Sequence, residues 1–148
     1  MERWIVILQE IEFGSEKYSS ACRLRETVLR IPLGLVLSED DLRGEDKQLH
    51  FGLFFGEQLV ACVVAVPLSA NEAKIRQIAV DPSCQRQGLA SEMMRQLEKN
   101  LAARGFISLS MHARSSAIDF YKKLGYEPVG EEFIEVTIPH RRMIKKLT

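Results

Sequence analysis

Cysteine, histidine and tryptophan are scarce in this chain: its 148 residues include three cysteines, three histidines and one tryptophan. Cys22, Cys62 and Cys84 are odd in number, far apart and without a CxxC pair. That pattern points away from a disulfide framework or a zinc site and toward reduced structural thiols in a cytoplasmic protein. No stretch reaches the roughly 18 apolar residues that a membrane span needs, and the short opening run Trp4–Leu8 lacks the core and cleavage site of a secretory signal. Excess charge of either sign is also missing, since 20 basic residues balance 20 acidic ones. A dedicated nucleic-acid binder would be strongly basic. The expectation is therefore a cytoplasmic chain with no metal and no membrane or nucleic-acid partner. There is no internal repeat, low-complexity tract or linker. The length suits one domain over residues 1–148, large enough to bury a core without a staple.

The elements read in order along the chain. Trp4–Leu8 predicts a first strand. Ser15 is placed to cap a helix in which Tyr18, Ala21, Cys22, Arg25, Val28 and Leu29 recur at helical spacing, and Pro32 and Gly34 end it. The acidic stretch Ser38–Gly44 predicts a short turn or helix. Leu49–Phe55 and Gln58–Val66 flank Gly56-Glu57, which predicts an antiparallel hairpin. After the turn Pro67–Asn71, Ala73–Val80 adds a third strand. From Gln87 to Arg104 the residues Leu89, Met93, Met94, Leu97 and Leu101 share one helical face, with Gly105 as the cap. Phe106–Met111 is a further strand, and a helical crossover predicts that it runs parallel to Ala73–Val80. Ser115–Leu124 predicts a shorter helix ended by Gly125. Tyr126–Val129 and Phe133–Ile138 read as extended, and Met143–Leu147 as a last strand. The fold class is α/β, with a mixed central β-sheet of six to seven strands flanked by helices.

The chemistry concentrates in Ile78–Met94, IAVDPSCQRQGLASEMM. This segment runs from a strand through a loop holding Arg86 and Gly88 into a helix. The first N–H groups of a helix have no intrahelical acceptor, and the helix dipole adds partial positive charge at the same end. Gly88 allows close approach of a ligand to the backbone, and Arg86 adds a full charge. A phosphate or pyrophosphate suits such a place. The segment lacks the GKS or GKT ending of a P-loop and is not GxGxxG. Taken alone, it also fits a plain helix entry beside a solvated arginine.

Two longer patterns go further. Gln85-Arg86-Gln87-Gly88-Leu89-Ala90 matches the pyrophosphate-binding pattern Q/R-x-x-G-x-G/A. The run from Ala117 through Phe120-Tyr121 to Gly125-Tyr126 matches A-x-x-F-Y-x-x-x-G-F/Y. In this order, a helix and a strand apart, they resemble the signatures of the GNAT acetyltransferase superfamily. The order of elements resembles that family over nearly the whole chain, and the residue-level match lies in its C-terminal half.

The resemblance implies acetyl-coenzyme A as co-substrate, no metal, and N-acetyl transfer to a primary amine of a small molecule or peptide by direct attack in a ternary complex. It implies that backbone groups of Ile78, Ala79 and Val80 pair with the pantetheine arm, one N–H polarising the thioester carbonyl. The amides of Gln85, Arg86, Gln87, Gly88, Leu89, Ala90 and Ser91 would hold the pyrophosphate. Tyr121 would protonate the leaving thiolate as general acid. By pattern alone Tyr121, spaced helically with Ile118 and Leu124, is a core aromatic, and Lys122 and Lys123 are a solvated face. Arg114 stands where the family often has Asn. An arginine donates but cannot accept a hydrogen bond, which leaves it to contact the donor or an acidic acceptor. A homodimer is a candidate assembly on family habit.

Amine acetylation also needs a group that takes the ammonium proton. Neither signature names it. Glu135 and His140, in FIEVTIPH, are the leading base candidates because that segment resembles one GNAT branch. His112, His50 and Glu72 stand beside them, and each of these residues also suits a structural or surface role. Arg23, Arg25 and Arg30 are placed either to greet an acidic acceptor or to form the polar face of their helix. No motif names the acceptor. Two other functions fit part of the chain: a non-catalytic acyl-coenzyme A sensor on the same fold, and a phosphate-binding module unrelated to acyl transfer. Tyr121 speaks against the former, the second signature against the latter.

Overall fold

The computed structural model describes residues 5–147. The elements are β1 (Ile7–Ile11), α1 (Glu16–Leu29), α2 (Glu39–Leu42), β2 (Leu49–Phe55), β3 (Gln58–Pro67), β4 (Glu72–Val80), α3 (Leu89–Ala103), β5 (Ser108–Arg114), α4 (Ile118–Lys123), β6 (Glu127–Glu135) and β7 (Ile138–Lys146). The strands form a seven-stranded sheet in the order β1-β2-β3-β4-β5-β7-β6. Neighbours are antiparallel except β4 and β5, which run parallel across the α3 crossover as predicted. Helices cover both faces, so β2 and β3 read as nearly unbroken apolar runs. The stripe Leu89, Met93, Met94, Leu97 and Leu101 of α3 fills one side with Phe51, Leu53, Ile75 and Leu109. Ala21 and Leu24 of α1 meet Ile11, Phe54 and Ala79 on the other. Ser15 caps α1, its side chain accepting from the Tyr18 N–H at 3.2 Å. Among the described residues no helix is long and apolar enough to cross a membrane.

Several boundaries differ from the sequence reading, among them β5, which runs Ser108–Arg114 rather than Phe106–Met111 and so carries His112 and Arg114. The first strand is Ile7–Ile11 rather than Trp4–Leu8, and Trp4 lies outside the described residues. Ile11 is the residue that docks on α1, at 3% exposure, whereas Ile7 is 59% exposed. Gln96 of α3 protects the chain just before and within β1: it accepts from Leu8 N–H at 2.8 Å and donates to Val6 O at 2.9 Å. The C-terminal segments also merge into one long hairpin. The chain does not reverse at Gly130, the local turn signal; residues 130–132 form a bulge between the pairs Val129↔Arg142 and Phe133↔His140. It reverses at Val136-Thr137, whose φ values are 50° and 67°. Two β-branched residues in this conformation are costly, and the turn adjoins Glu135.

A buried polar network fastens α1 to the sheet. Arg25 and Glu45 are 1% and 0% exposed and form a bidentate pair at 2.9 and 2.5 Å. Glu45 also accepts from the Tyr18 hydroxyl at 2.6 Å and from Arg76 at 2.7 Å, and its backbone carbonyl meets His50 Nε2 at 2.7 Å. The remaining Arg25 donor, Nε, reaches Gln77 Oε1 at 2.9 Å. Burial alone would raise the Glu45 pKa, but the donors Arg25, Tyr18 and Arg76 together outweigh it and hold the carboxyl at about 2, below its ordinary 4.5. The folded-state pKa lies under the unfolded one, so this stabilisation is complete above about pH 5 and fades as pH falls toward 2. Glu45→Gln leaves Arg25 buried without its counter-charge, which costs about 3–5 kcal/mol. Thermal melts from pH 7 downward should show a large loss at neutral pH and a shallower acid decline than wild type. An acid decline as steep as wild type would contradict the assignment.

Candidate active site

The loop between β4 and α3 builds a cluster of unused donors. Gly88 takes the N-cap position of α3 at φ 74°, and no side chain caps the helix. The early amides of α3, at Leu89, Ala90 and Ser91, therefore keep their free hydrogens. Arg86 also has a positive φ, 65°, so the loop backbone alternates in hand, the geometry in which successive N–H groups can form an anion-binding concavity. A cleft of about 250 Å³ lies here, lined by Gln85, Arg86, Gly88, Ala90, Ser91 and Phe120 among others. The space around Gly88 is open. Its backbone angle, rather than crowding by the protein, is what favours glycine there.

The adjoining strand opens the sheet. β4 and β5 pair only from Glu72↔Ser108 to Ile75↔Met111. Farther on, β4 stays with β3 as far as Val80 and β5 stays with β7 as far as Arg114. The parting begins at a bulge: between Val64↔Arg76 and Cys62↔Ala79, β4 has one residue more than β3, and Gln77 adopts φ 57°. The bulge switches the strand's faces. Ala73 and Ile75 before it and Ile78 and Val80 after it all pack into the α3-side core, while Ala79 joins the α1 side. Asp81 N–H donates to Val60 O at 2.8 Å. By antiparallel alternation, Ala79 then spends its amide and carbonyl on β3, and Val80 and Ile78 turn theirs into the opened edge. Of the three backbones named from the resemblance, two face the slot and Ala79 does not.

A cavity of about 520 Å³ continues from this edge, walled by the end of α1, by α2, β4 and β5, and by the β6–β7 turn. Tyr121 lines it. Its ring belongs to the core, edge-on to Phe120 and Tyr126 at centroid distances of 5.0 and 6.0 Å, and its hydroxyl makes no hydrogen bond to the described residues. Core aromatic and site residue are thus compatible descriptions. Burial pushes the Tyr121 hydroxyl up to about 12, against the opposing charge of Arg114, so it stays protonated at neutral pH.

Across the cavity, Glu135 meets two imidazoles. His112 Nδ1 lies 2.9 Å from Glu135 Oε1, and His140 Nε2 lies 3.9 Å from Oε2. His140 Nδ1 is 2.9 Å from the Ile138 carbonyl. A carbonyl only accepts, so Nδ1 carries the hydrogen and a neutral His140 presents Nε2 as a bare base. The predicted pair Glu135 and His140 is brought together here, with His112 joining it. His50 and Glu72 are elsewhere: His50 is bound under α1, and Glu72 is the exposed first residue of β4, its N–H donating to Ser69 Oγ. The arginines of α1 and of its C-cap are committed as well, Arg25 to Glu45, Arg30 to Asp41 at 2.8 Å, and Arg23 to Ser20 at the surface. Sequence reasoning passed over Lys74, Arg76 and Gln77 of β4. Its signal was present: in Lys74-Ile75-Arg76-Gln77-Ile78-Ala79-Val80 the alternation breaks at Gln77, as it does at a bulge.

The model of the Acetyltransferase (GNAT) family matches residues 16–126, a span holding α1, the bulged strand, the Gln85–Ser91 loop and Tyr121. The chain belongs to the GNAT acetyltransferase family. Among curated proteins it is similar to the uncharacterized N-acetyltransferase YjcF of Bacillus subtilis, 29% identical over 133 residues covering 89% of this chain and 94% of that one. With YyaT of the same organism it is 33% identical over 78 residues, 53% of either chain. The crystal structure of a GNAT family acetyltransferase from Elizabethkingia anophelis, with acetyl-CoA bound, matches at TM-score 0.74 and 14% identity, covering 96% of this chain and 98% of that one.

GNAT membership and the free amides at the start of α3 make a direct test available. Saturating acetyl-coenzyme A should raise the melting temperature, by an amount corresponding to about 2.7 kcal/mol at one hundred times its dissociation constant. Gly88→Ala should bear only the backbone strain, about 1 kcal/mol, and still bind. Gly88→Glu should fold but lose the shift, since its carboxylate would occupy the phosphate site. Equal coenzyme affinity of the Ala and Glu variants by calorimetry would place the phosphates elsewhere.

Proposed function

We propose that the chain transfers the acetyl group of acetyl-coenzyme A to a primary amine by direct attack within a ternary complex. The observation that carries this reading is continuity. One bulged strand leads from the uncapped start of α3, along an unpaired backbone edge, into a cavity that holds a proton donor and a carboxylate–imidazole cluster. A sensor that only bound the coenzyme would have no use for that cluster.

The residues take up separate tasks. The amides of Gly88–Ser91, with Gln85, Arg86 and Gln87 around them, hold the pyrophosphate. The opened edge at Ile78 and Val80 holds the pantetheine arm, and an N–H there steadies the thioester oxygen as it gains charge. Arg114 flanks the thioester end beside Tyr121. The amine nitrogen attacks the carbonyl carbon, so a C–N bond forms and the C–S bond breaks. The ammonium proton goes to the cluster of His112, Glu135 and His140. Glu135 receives the His112 Nδ1–H, leaving Nε2 open as a base, and stabilises the imidazolium that results. The thiolate takes the proton of Tyr121, and the phenolate left behind, which burial disfavours and the charge of Arg114 favours, regains a proton from solvent before the next turnover.

Tyr121→Phe removes only the hydroxyl, so ring packing and coenzyme affinity should survive. The turnover number should fall by about 10²–10⁴, the range of general-acid contributions, with little change in KM. The deficit should shrink with a thioester whose leaving thiol is more acidic. Thiol release with an acceptor drawn from polyamines, amino acids, amino sugars and peptides measures both. A wild-type single-turnover rate in the variant would reduce Tyr121 to a core aromatic.

A further inference from the structure

The cavity wall carries two cations that the fold does not use. Arg30 is taken by Asp41 at 2.8 Å and Arg76 by Glu45 at 2.7 Å. Lys74 makes no hydrogen bond or ion pair with any described residue, and Arg114 donates only to the Leu29 carbonyl at 3.3 Å. The anions of the wall are accounted for in turn. Asp41 belongs to Arg30, Asp40 pairs with Arg43 at 2.7 Å, and Glu135 is held by His112. What is left over is positive charge, the two cations Lys74 and Arg114 against the single carboxylate of Glu135, partly buried inside a space of small-molecule size.

Its placement follows from the register. Lys74 pairs with Ser110, and Ser110, His112 and Arg114 follow one another on a single face of β5, about 7 Å apart along the strand. His112 therefore lies between the two free cations, with Arg114 toward Tyr121 and Lys74 toward the far end of the cavity. Burial depresses the pKa of both cations. For Lys74 the charge of Glu135 works against this, and for Arg114 the nearby Arg30 adds to it. A half-buried cation with no carboxylate in direct contact is costly, and a bound anion reduces that cost.

Building on the acetyl-transfer reading, we infer that the acceptor is a small primary amine that also bears an anionic group, a carboxylate, sulfonate or phosphate. Lys74 binds that group, with Arg114 on the opposite side of the amine. Polyamines are excluded as good acceptors, because their second ammonium would face these cations.

Acetylated products bound to the coenzyme A complex test this even while the acceptor itself is unidentified. The probes are N-acetylglycine, N-acetyl-β-alanine, N-acetylglutamate, N-acetyltaurine and N-acetylphosphoethanolamine. Each is matched with an uncharged partner, the amides for the acids and N-acetylethanolamine for the phosphate, and N-acetylputrescine serves as the cationic probe. Affinities are read from melting shifts and calorimetry. At least one anionic probe should bind about tenfold or more tightly than its neutral partner, the factor carried by one charged hydrogen bond. Lys74→Gln should bring that pair near parity and Lys74→Arg should retain most of the preference, with circular dichroism verifying the fold of both. Parity in every pair of the wild type, or tightest binding of the cationic probe, overturns the inference while a melting shift with coenzyme A leaves acetyl transfer standing. No shift with coenzyme A overturns both.

Discussion

Burying an arginine and a glutamate under α1 costs several kcal/mol of hydration before the pair returns anything. Arg25 and Glu45 nonetheless sit together at the place where the sheet comes apart. Two guanidinium nitrogens of Arg25 go to Glu45 and the third to Gln77, the residue with φ 57° in the bulge of β4. Arg76, next to it, is tied to Glu45 as well. The irregular point of β4 is thereby held from the α1 side by charged hydrogen bonds. The extra residue turns Ile78 and Val80 back into the α3-side core and leaves their backbone groups unpaired beside β5. A regular β4 would bring Gln77 toward the apolar core and keep β5 within reach, closing the slot proposed to take the donor.

Everything chemical in the molecule is arranged around that opening. At one end lies the uncapped start of α3; at the other lies the cavity, with Tyr121 on its core side and the cluster of His112, Glu135 and His140 on its β6–β7 side. The two groups proposed to transfer protons stand in different surroundings. Tyr121 is buried with its hydroxyl pushed up to about 12 and keeps its proton until a thiolate appears. Glu135 is more exposed and lies 2.9 Å from His112 Nδ1, with His140 Nε2 at 3.9 Å.

Much of the fold was legible because its signals are local. The stripe of α3, the glycine at its start and the hairpin at Gly56-Glu57 each follow from a few neighbouring residues. The parallel partner of β4 followed from the crossover rule. Less was legible where a feature rests on distant partners or on strain. Arg25 shares its helical spacing with apolar residues, and nothing nearby tells that Glu45, 20 residues later, receives it in the interior. The meeting of His112 with Glu135 depends on β7 lying between β5 and β6 and on the bulge at 130–132 that sets the register. Val136-Thr137 lacks the glycine or asparagine by which such a turn is normally read. Of the candidate site, the Gln85–Ser91 loop, Tyr121 and Arg114 were legible from the two signatures, while Lys74 was not, because its lack of a partner depends on how Arg30, Arg76, Asp41 and Glu45, distant in sequence, pair with one another.

The most direct measurement is a crystal structure of the protein with acetyl-coenzyme A. The account predicts the pyrophosphate against the amides of Gly88–Ser91, the pantetheine arm lying along β4 beside β5, and the thioester oxygen about 3 Å from the N–H of Ile78 or Val80. The Tyr121 hydroxyl should then be the proton donor nearest the sulfur. A pantetheine arm lying outside the opening between β4 and β5, or a β4 that pairs with β5 through to Val80 when the coenzyme binds, would contradict it.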